Sequence, residues 1–279
     1  MVTDIRGVSF QPLPSPLRIV SLVPSWTETL FHLGLTEQEI VGRTDYCIHP
    51  RSRVDNIEEL GGPRDPNIAR IFELDPILVL MDQAENRKAD VDSIDAHWIP
   101  SRVFVTGPKT VNDALEYVEK LGVLFEVEKC ARELIEHVRS LVAQIVRVSR
   151  GTVAYFVWQD PFIAASRETY IGDILGILGY ESVFDRRTLE DFSPEGSKGY
   201  PVVTISLVVS LKPDTIFLST EPFPFRKRHI RSLRAQLLQF DSEYAERVDI
   251  RIVNGEYFSW YGSRMIYAFR YFVKRQAQL

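Results

Sequence analysis

Seven consecutive residues, Thr44-Asp45-Tyr46-Cys47-Ile48-His49-Pro50, hold one of the two cysteines and one of the five histidines of the 279-residue chain. Cys47 and His49 lie two apart, so on an extended strand they point to the same face and a thiolate–imidazole pair is sterically allowed. A catalytic cysteine and histidine usually come from distant segments, however, and no orienting Asn or Asp is identifiable. As a zinc site the motif supplies only two ligands. His32, His97, His137 and His229 fall in or beside helical segments without ligand spacing. A metal already held by a macrocycle needs only one axial protein ligand, and His49 could supply it. The remaining reading is packing: Cys47 as a small buried residue and His49 as a turn residue before Pro50. No catalytic residue is assigned. GxGxxG, GxxxxGK[ST] and GxSxG are all absent, so nothing points to nucleotide or serine-hydrolase chemistry.

Composition narrows the classes. Hydrophobic residues make up 45% and charged residues 25%, as in ordinary globular proteins. The net charge of −5, with no basic tail and no long Lys/Arg run, argues against a general nucleic-acid binder. Two cysteines make no disulfide framework. The N-terminus shows no uninterrupted apolar core of a secretory signal, and the longest apolar runs, such as Ile205–Leu211, are too short to cross a bilayer. A cytoplasmic protein without membrane insertion is expected, periplasmic if a signal was removed, and a monomer.

The elements alternate. Leu17–Leu22 reads as a buried strand, and Ser25 with Glu28 reads as a capping box opening a helix to Leu33 that Gly34 closes. Strands follow at 40–43, 76–81 and 102–106, with helices over 67–74 and 91–97. The segment 110–150 has helical periodicity, no proline and one glycine, Gly122. It reads as one helix of about 40 residues, or as a helix broken near Gly122–Val127. Beyond it come strands at 153–157, 214–219 and 251–253, and helices at 170–178, 205–211, 228–239 and 263–274. The fold class is α/β: two parallel-sheet lobes, 1–109 and 151–279, joined by a backbone helix over 110–150. A short internal repeat supports two lobes. Leu74-Asp75-Pro76 leads through an apolar strand to Glu85, and Leu211-Lys212-Pro213 through another to Glu221.

Loops after strands are where such folds place contacts. Here those loops are rich in aromatics, including three of the four tryptophans. They carry Trp26 after the first strand, Tyr46 after the second, Trp158 and Phe162, and then Tyr257 to Trp260. Either these rings pack under their loops, or they line a cleft for a large flat ligand. Arg64, Asp65 and Arg264 sit in the same loops, and the arginines suit carboxylates or an anionic chelate.

In motif order the chain resembles the helical-backbone (class III) substrate-binding proteins of ABC importers for cobalamin, haem and ferric siderophores, over about Leu17 to Leu279. The resemblance rests on "RIVSLVPSWTETLFHLGL", "VGRTDYCIHP", "LGGPRDPNIARIFELDPILVL", "AENRKADVDSI" and "GEYFSWYGSR". It is most similar to the cobalamin-receptor branch, and to a signal-less subgroup with "YCxHP" and "EPFPF" elements. It implies two lobes around a ligand cleft, with no enzymatic activity. Tyr46 matches a tyrosine of the corrinoid site. Pro24, Ser25, Trp26, Trp158 and the Tyr257–Trp260 loop match cleft positions. Glu85 and Glu221 match surface glutamates that pair with permease arginines. The tryptophan expected near Gly61-Gly62 is replaced by Pro63-Arg64-Asp65. The implied ligand is cobalamin or a related corrinoid, otherwise haem or a ferric chelate, with His49 as the one candidate metal ligand. An enzyme or interaction protein using Cys47 is the rival reading.

Overall fold

The computed structural model describes residues 1–98, 102–185 and 199–276. It resolves into two compact units. The first comprises 1–108, 112–139 and 260–266, and the second 109–111, 140–259 and 267–279.

The first unit opens with a hairpin, β1 (Val2–Thr3) and β2 (Ser9–Phe10). Its sheet contains β3 (Ile19–Ser21), β4 (Ile40–Arg43), β7 (Leu78–Asp82) and β8 (Val103–Thr106), in the order β4-β3-β7-β8 and all parallel. Each β7 residue is buried, as a central strand covered on both faces requires. Val20, Leu22, Val79, Met81, Val103 and Val105 share one core with Leu60, Ile71, Val91 and Ile94. Helices α1 (Pro24–His32), α2 (Arg51–Val54), α3 (Ile68–Leu74) and α4 (Lys88–His97) fill the crossovers, and β5 (Gly61–Gly62) pairs with β6 (Asp65–Pro66) in a second hairpin.

The segment 110–150 takes the broken form of its two sequence readings. It makes α5 (Val111–Leu124) and α6 (Glu128–Val142), and most of both belongs to the first unit. Glu126 has a left-handed backbone at the break, and Gly122 lets α5 approach Ala131 of α6. The unit boundaries therefore differ from the expected 109/110 and 150/151 junctions.

The second unit is built around β9 (Thr152–Trp158), β12 (Thr215–Ser219) and β13 (Asp249–Val253), parallel in the order β9-β12-β13. Short strands β10 (Ile163–Ala164) and β11 (Glu181–Ser182) pair with β9, antiparallel and parallel. Its helices are α7 (Tyr170–Ile177), α8 (Ile205–Leu211), α9 (Lys227–Leu238), α10 (Ser242–Arg247), α11 (Glu256–Ser259) and α12 (Arg264–Arg275), the last beginning in the first unit. Ala154, Phe156, Ile216, Leu218 and Ile250 form its core with Val208, Leu233 and Leu237.

The internal repeat is a structural one. α3 and α8 each have seven residues, and each is capped at its N-terminus by a side chain, Asn67 or Thr204, accepting a backbone N–H. Each ends on a left-handed non-glycine residue, Asp75 or Lys212, just before a proline and a five-residue buried strand. Pro76 and Pro213 cannot continue a helix, which fixes the stop in both units.

The capping box at Ser25 is corrected. Val23 is the N-cap of α1 and no side chain caps it. Ser25 and Glu28 are both buried, and the Glu28 carboxylate is committed to a distant arginine.

Candidate functional site

In the first unit three loops meet at the C-terminal ends of β3, β4 and β7. Arg43 ends β4 with its guanidinium buried, donating to the Val54 carbonyl (2.7 Å), the Thr44 carbonyl (3.0 Å) and the Glu59 carboxylate (2.9 Å). Five donors in a fixed fork let one side chain tie both ends of the 44–59 loop. Asp45 N–H donates to the Gly61 carbonyl, and the Tyr46 ring lies against Gly62. The neighbouring β5–β6 turn is held in turn by Asn86, which donates to the carbonyls of Leu22 (3.2 Å) and Pro63 (2.9 Å). Arg64, exposed, donates to the Ala84 carbonyl, and Asp65 is exposed beside it. The result is a braced platform from which Tyr46 projects with 57% of its surface in solvent.

Beneath the platform runs a buried polar chain. The Trp26 indole N–H donates to Thr106 Oγ1 (2.8 Å), and that hydroxyl donates to the Asp82 carboxylate (2.6 Å). Burial pushes the Asp82 carboxyl above its ordinary range, against the pull of Thr106 and of the Ala84 N–H. The Tyr261 hydroxyl reaches Glu85 (3.4 Å), and burial together with Asp82 and Glu85 raises its pKa well above normal. Trp26 is fully buried against Tyr117 and Tyr261. The expectation that it stacks on a ligand is therefore corrected, and with it the contact roles of Pro24 and Ser25, which are buried in the same turn.

Cys47 is equally enclosed. Its sulfur is fully buried and lies 3.1 Å from Thr27 Oγ1 and 3.2 Å from Thr44 Oγ1. Burial pushes the thiol pKa up, the reverse of what a nucleophile needs. His49 packs edge-on to Trp260, with ring centroids 5.5 Å apart. Trp260 is itself buried, and the Arg264 guanidinium lies over its ring at 5.4 Å. Arg264 forms a bidentate pair with Glu28 at 2.9 and 2.7 Å, both side chains about nine-tenths buried. Its expected role at a ligand periphery is corrected: the charge is spent inside the fold. Gly262 makes this approach feasible. Its φ is +67°, and a Cβ there would strike the Thr29 side chain.

In the second unit Trp158 ends β9 with 39% of its surface exposed, edge-on to Phe223 at 5.5 Å. Phe223 N–H donates to the Val157 carbonyl, so the 221–225 loop lies along the strand end. Phe162 is buried against Phe156 and leaves the contact set. Tyr257, half-buried, packs on Tyr271. Glu221, half-buried, accepts from the Ser259 hydroxyl at 2.8 Å. The two glutamates of the repeat thus each hold a hydroxyl of the 259–261 segment, Glu221 in the second unit and Glu85 in the first. Sequence reasoning missed Arg43, Asn86, Thr106 and Asp82, the groups that fix the loops. The signal available for Arg43, Asp82 and Thr106 was a polar residue at the end of an otherwise apolar strand, and Asn86 lies in the loop four residues past β7. Among the described residues no group of three or more His, Cys, Asp or Glu side chains could hold a metal ion. No helix among them is long and apolar enough to cross a membrane.

Comparison with known proteins matches this architecture. The chain is 24% identical to the vitamin B12-binding protein of Photorhabdus laumondii over 209 residues, covering 74% of this chain and 71% of that one. It is 23% identical to that of Vibrio campbellii over 206 residues, covering 72% and 70%. Among solved structures, the haem-binding protein RhuT of Roseiflexus superposes with a TM-score of 0.74 at 18% identity, covering 94% of this chain and 98% of that one. The vitamin B12-binding protein BtuF of Vibrio cholerae gives 0.72 at 19%, with the same coverage. Residues 19–239 match the periplasmic binding protein family model, so the chain belongs to that family, within the class III substrate-binding proteins that include cobalamin and haem receptors.

Proposed function

We propose that this protein binds a metal-bearing tetrapyrrole or chelate without transforming it, with cobalamin or a related corrinoid as the first candidate and haem or a ferric siderophore as the second. Tyr46 carries the reading. A large aromatic ring more than half exposed has no stabilising role where it stands, yet its loop is braced by the buried Arg43 and seated on the Gly61–Gly62 hairpin. Rigid placement of an exposed ring is what a stacking contact with a flat ligand requires. The family membership and the vitamin B12- and haem-binding relatives support the same ligand class.

In this reading Tyr46 meets the ligand face, and Arg64 and Asp65 meet its polar edge. His49 is the candidate axial ligand. Its edge-on packing against Trp260 orients the ring, and the binding reading stands without a metal–nitrogen bond. Glu85 and Glu221 are the candidate contacts to an importer permease. The enclosed, high-pKa thiol of Cys47 favours a binding protein over an enzyme. An absorbance titration with aquocobalamin, haemin and a ferric hydroxamate chelate tests the proposal. A saturable spectral change at micromolar concentration with one of them is the expected result, and no change with any at high micromolar concentration overturns it.

A further inference from the structure

Between Glu221 and Asp241 the chain carries no acidic residue, while Arg226, Lys227, Arg228, Arg231 and Arg234 supply five fixed cations, in a chain whose net charge is −5. Arg234 turns inward to the carbonyls of Ala245 and Val248. The other four are exposed on α9 or at its N-cap, and none of them forms a salt bridge among the described residues, whereas Arg53 and Arg70 each hold a carboxylate. Their position is the unfavourable one. The start of a helix carries the positive end of its dipole and is stabilised by acids, of which the first turn of α9 has none. Three cations, Arg226, Lys227 and Arg228, stand at this end against the dipole, and Arg231 lies one turn further on the same helix.

Apolar side chains flank the array. Phe223, half-buried, packs on His229 in the first turn and on Trp158, which is 39% exposed. At the far end Leu238 and Phe240 are about half exposed. Duplex nucleic acid is a poor fit, because its affinity grows with many phosphate contacts and the rest of this chain is acidic. An acidic protein surface would have to match four flexible side chains on the outward face of a helix. Mobile anionic headgroups need no such match, and tryptophan, phenylalanine and leucine at the margins suit the interfacial layer.

We propose that the outward face of α9, through Arg226, Lys227, Arg228 and Arg231, docks the protein on an anionic phospholipid surface. This docking is peripheral and independent of ligand binding. Its apolar side, Leu233 and Leu237, stays in the core of the second unit.

The experiment is co-sedimentation of the full chain with phosphatidylcholine vesicles, with and without phosphatidylserine. Binding to the anionic vesicles alone is expected, weakening as salt shortens the screening length. Lys227→Gln with Arg231→Gln should weaken it about thirtyfold, each cation near such a surface contributing about fivefold. Thermal stability of the double variant should be unchanged or higher, since a conflict with the helix dipole is removed; a loss would mean the cations are structural. If the double variant does not fold, Lys227→Gln alone should still weaken binding about fivefold. Equal distribution between the two vesicle types overturns the proposal and leaves the cations to an acidic protein partner. Undiminished binding of the variants overturns the assignment to α9.

Discussion

Replacing Glu28 by Gln leaves the Arg264 guanidinium buried without its counter-charge. The pair is bidentate at 2.7 and 2.9 Å, with side chains 11% and 10% exposed, so water cannot take over the lost role. Breaking one side of such a pair costs about 3–5 kcal/mol, against about 0–1 kcal/mol for a surface pair. At about 2–4 °C per kcal/mol for a unit of this size, the melting temperature should fall by roughly 6–20 °C. The effect should persist at high salt, because a buried pair is weakly screened. Urea or thermal unfolding followed by circular dichroism measures it. Glu28→Leu combined with Arg264→Met should recover most of the loss, since a well-packed apolar pair replaces a buried ion pair at little cost. A penalty below about 1 kcal/mol for Glu28→Gln, or no recovery in the double variant, would refute the claim that this pair locks the 260–264 turn onto α1.

Further expectations concern the site. Iodoacetamide under native conditions should modify Cys130, which is partly exposed, and leave Cys47 unreacted; rapid carbamidomethylation of Cys47 would restore the enzyme reading. The pKa of Asp82 is raised in the fold, so its contribution to stability is fully present below the unfolded carboxylate pKa and is lost as pH rises through the folded value. Asp82→Asn should lack that decline, as a pH series of urea midpoints would show. Arg43→Ala should loosen the 44–59 loop by removing three hydrogen bonds, detected as faster amide exchange of residues 44–50 with the rest of the sheet still protected. Uniform exchange across the unit would mean that Arg43 supports the whole fold instead.

Much of the architecture is written in local pattern. Strands buried on both faces appear as short apolar runs, and the turn signals Gly34, Pro76, Gly179 and Pro213 mark element ends where the structure has them. The Asp75-Pro76 and Lys212-Pro213 repeat is legible because its cause, a left-handed cap followed by a residue that cannot stay helical, is local too. The Ser25–Glu28 spacing misleads for the opposite reason. The partner of Glu28 lies 236 residues away, and only the fold brings it near. Loop aromatics are ambiguous in the same way. Trp26, Phe162 and Trp260 pack under their loops while Tyr46 and Trp158 stand out of theirs, and composition alone does not separate the two. Of the basic face of α9 the sequence shows the cations, Arg226-Lys227-Arg228 and then Arg231 and Arg234, but only the fold shows that Arg234 turns inward while the other four stay exposed.

The most direct test of the central claim is equilibrium dialysis of aquocobalamin, haemin and the ferric chelate against the wild type and Tyr46→Ala side by side. The ring is exposed and bears no core load, so the variant should keep its melting temperature. It should bind the preferred ligand about thirtyfold more weakly, the loss of roughly 2 kcal/mol that an aromatic anchor supplies at an interface. Unchanged affinity in Tyr46→Ala, or no retention of any of the three by the wild type, would contradict the account.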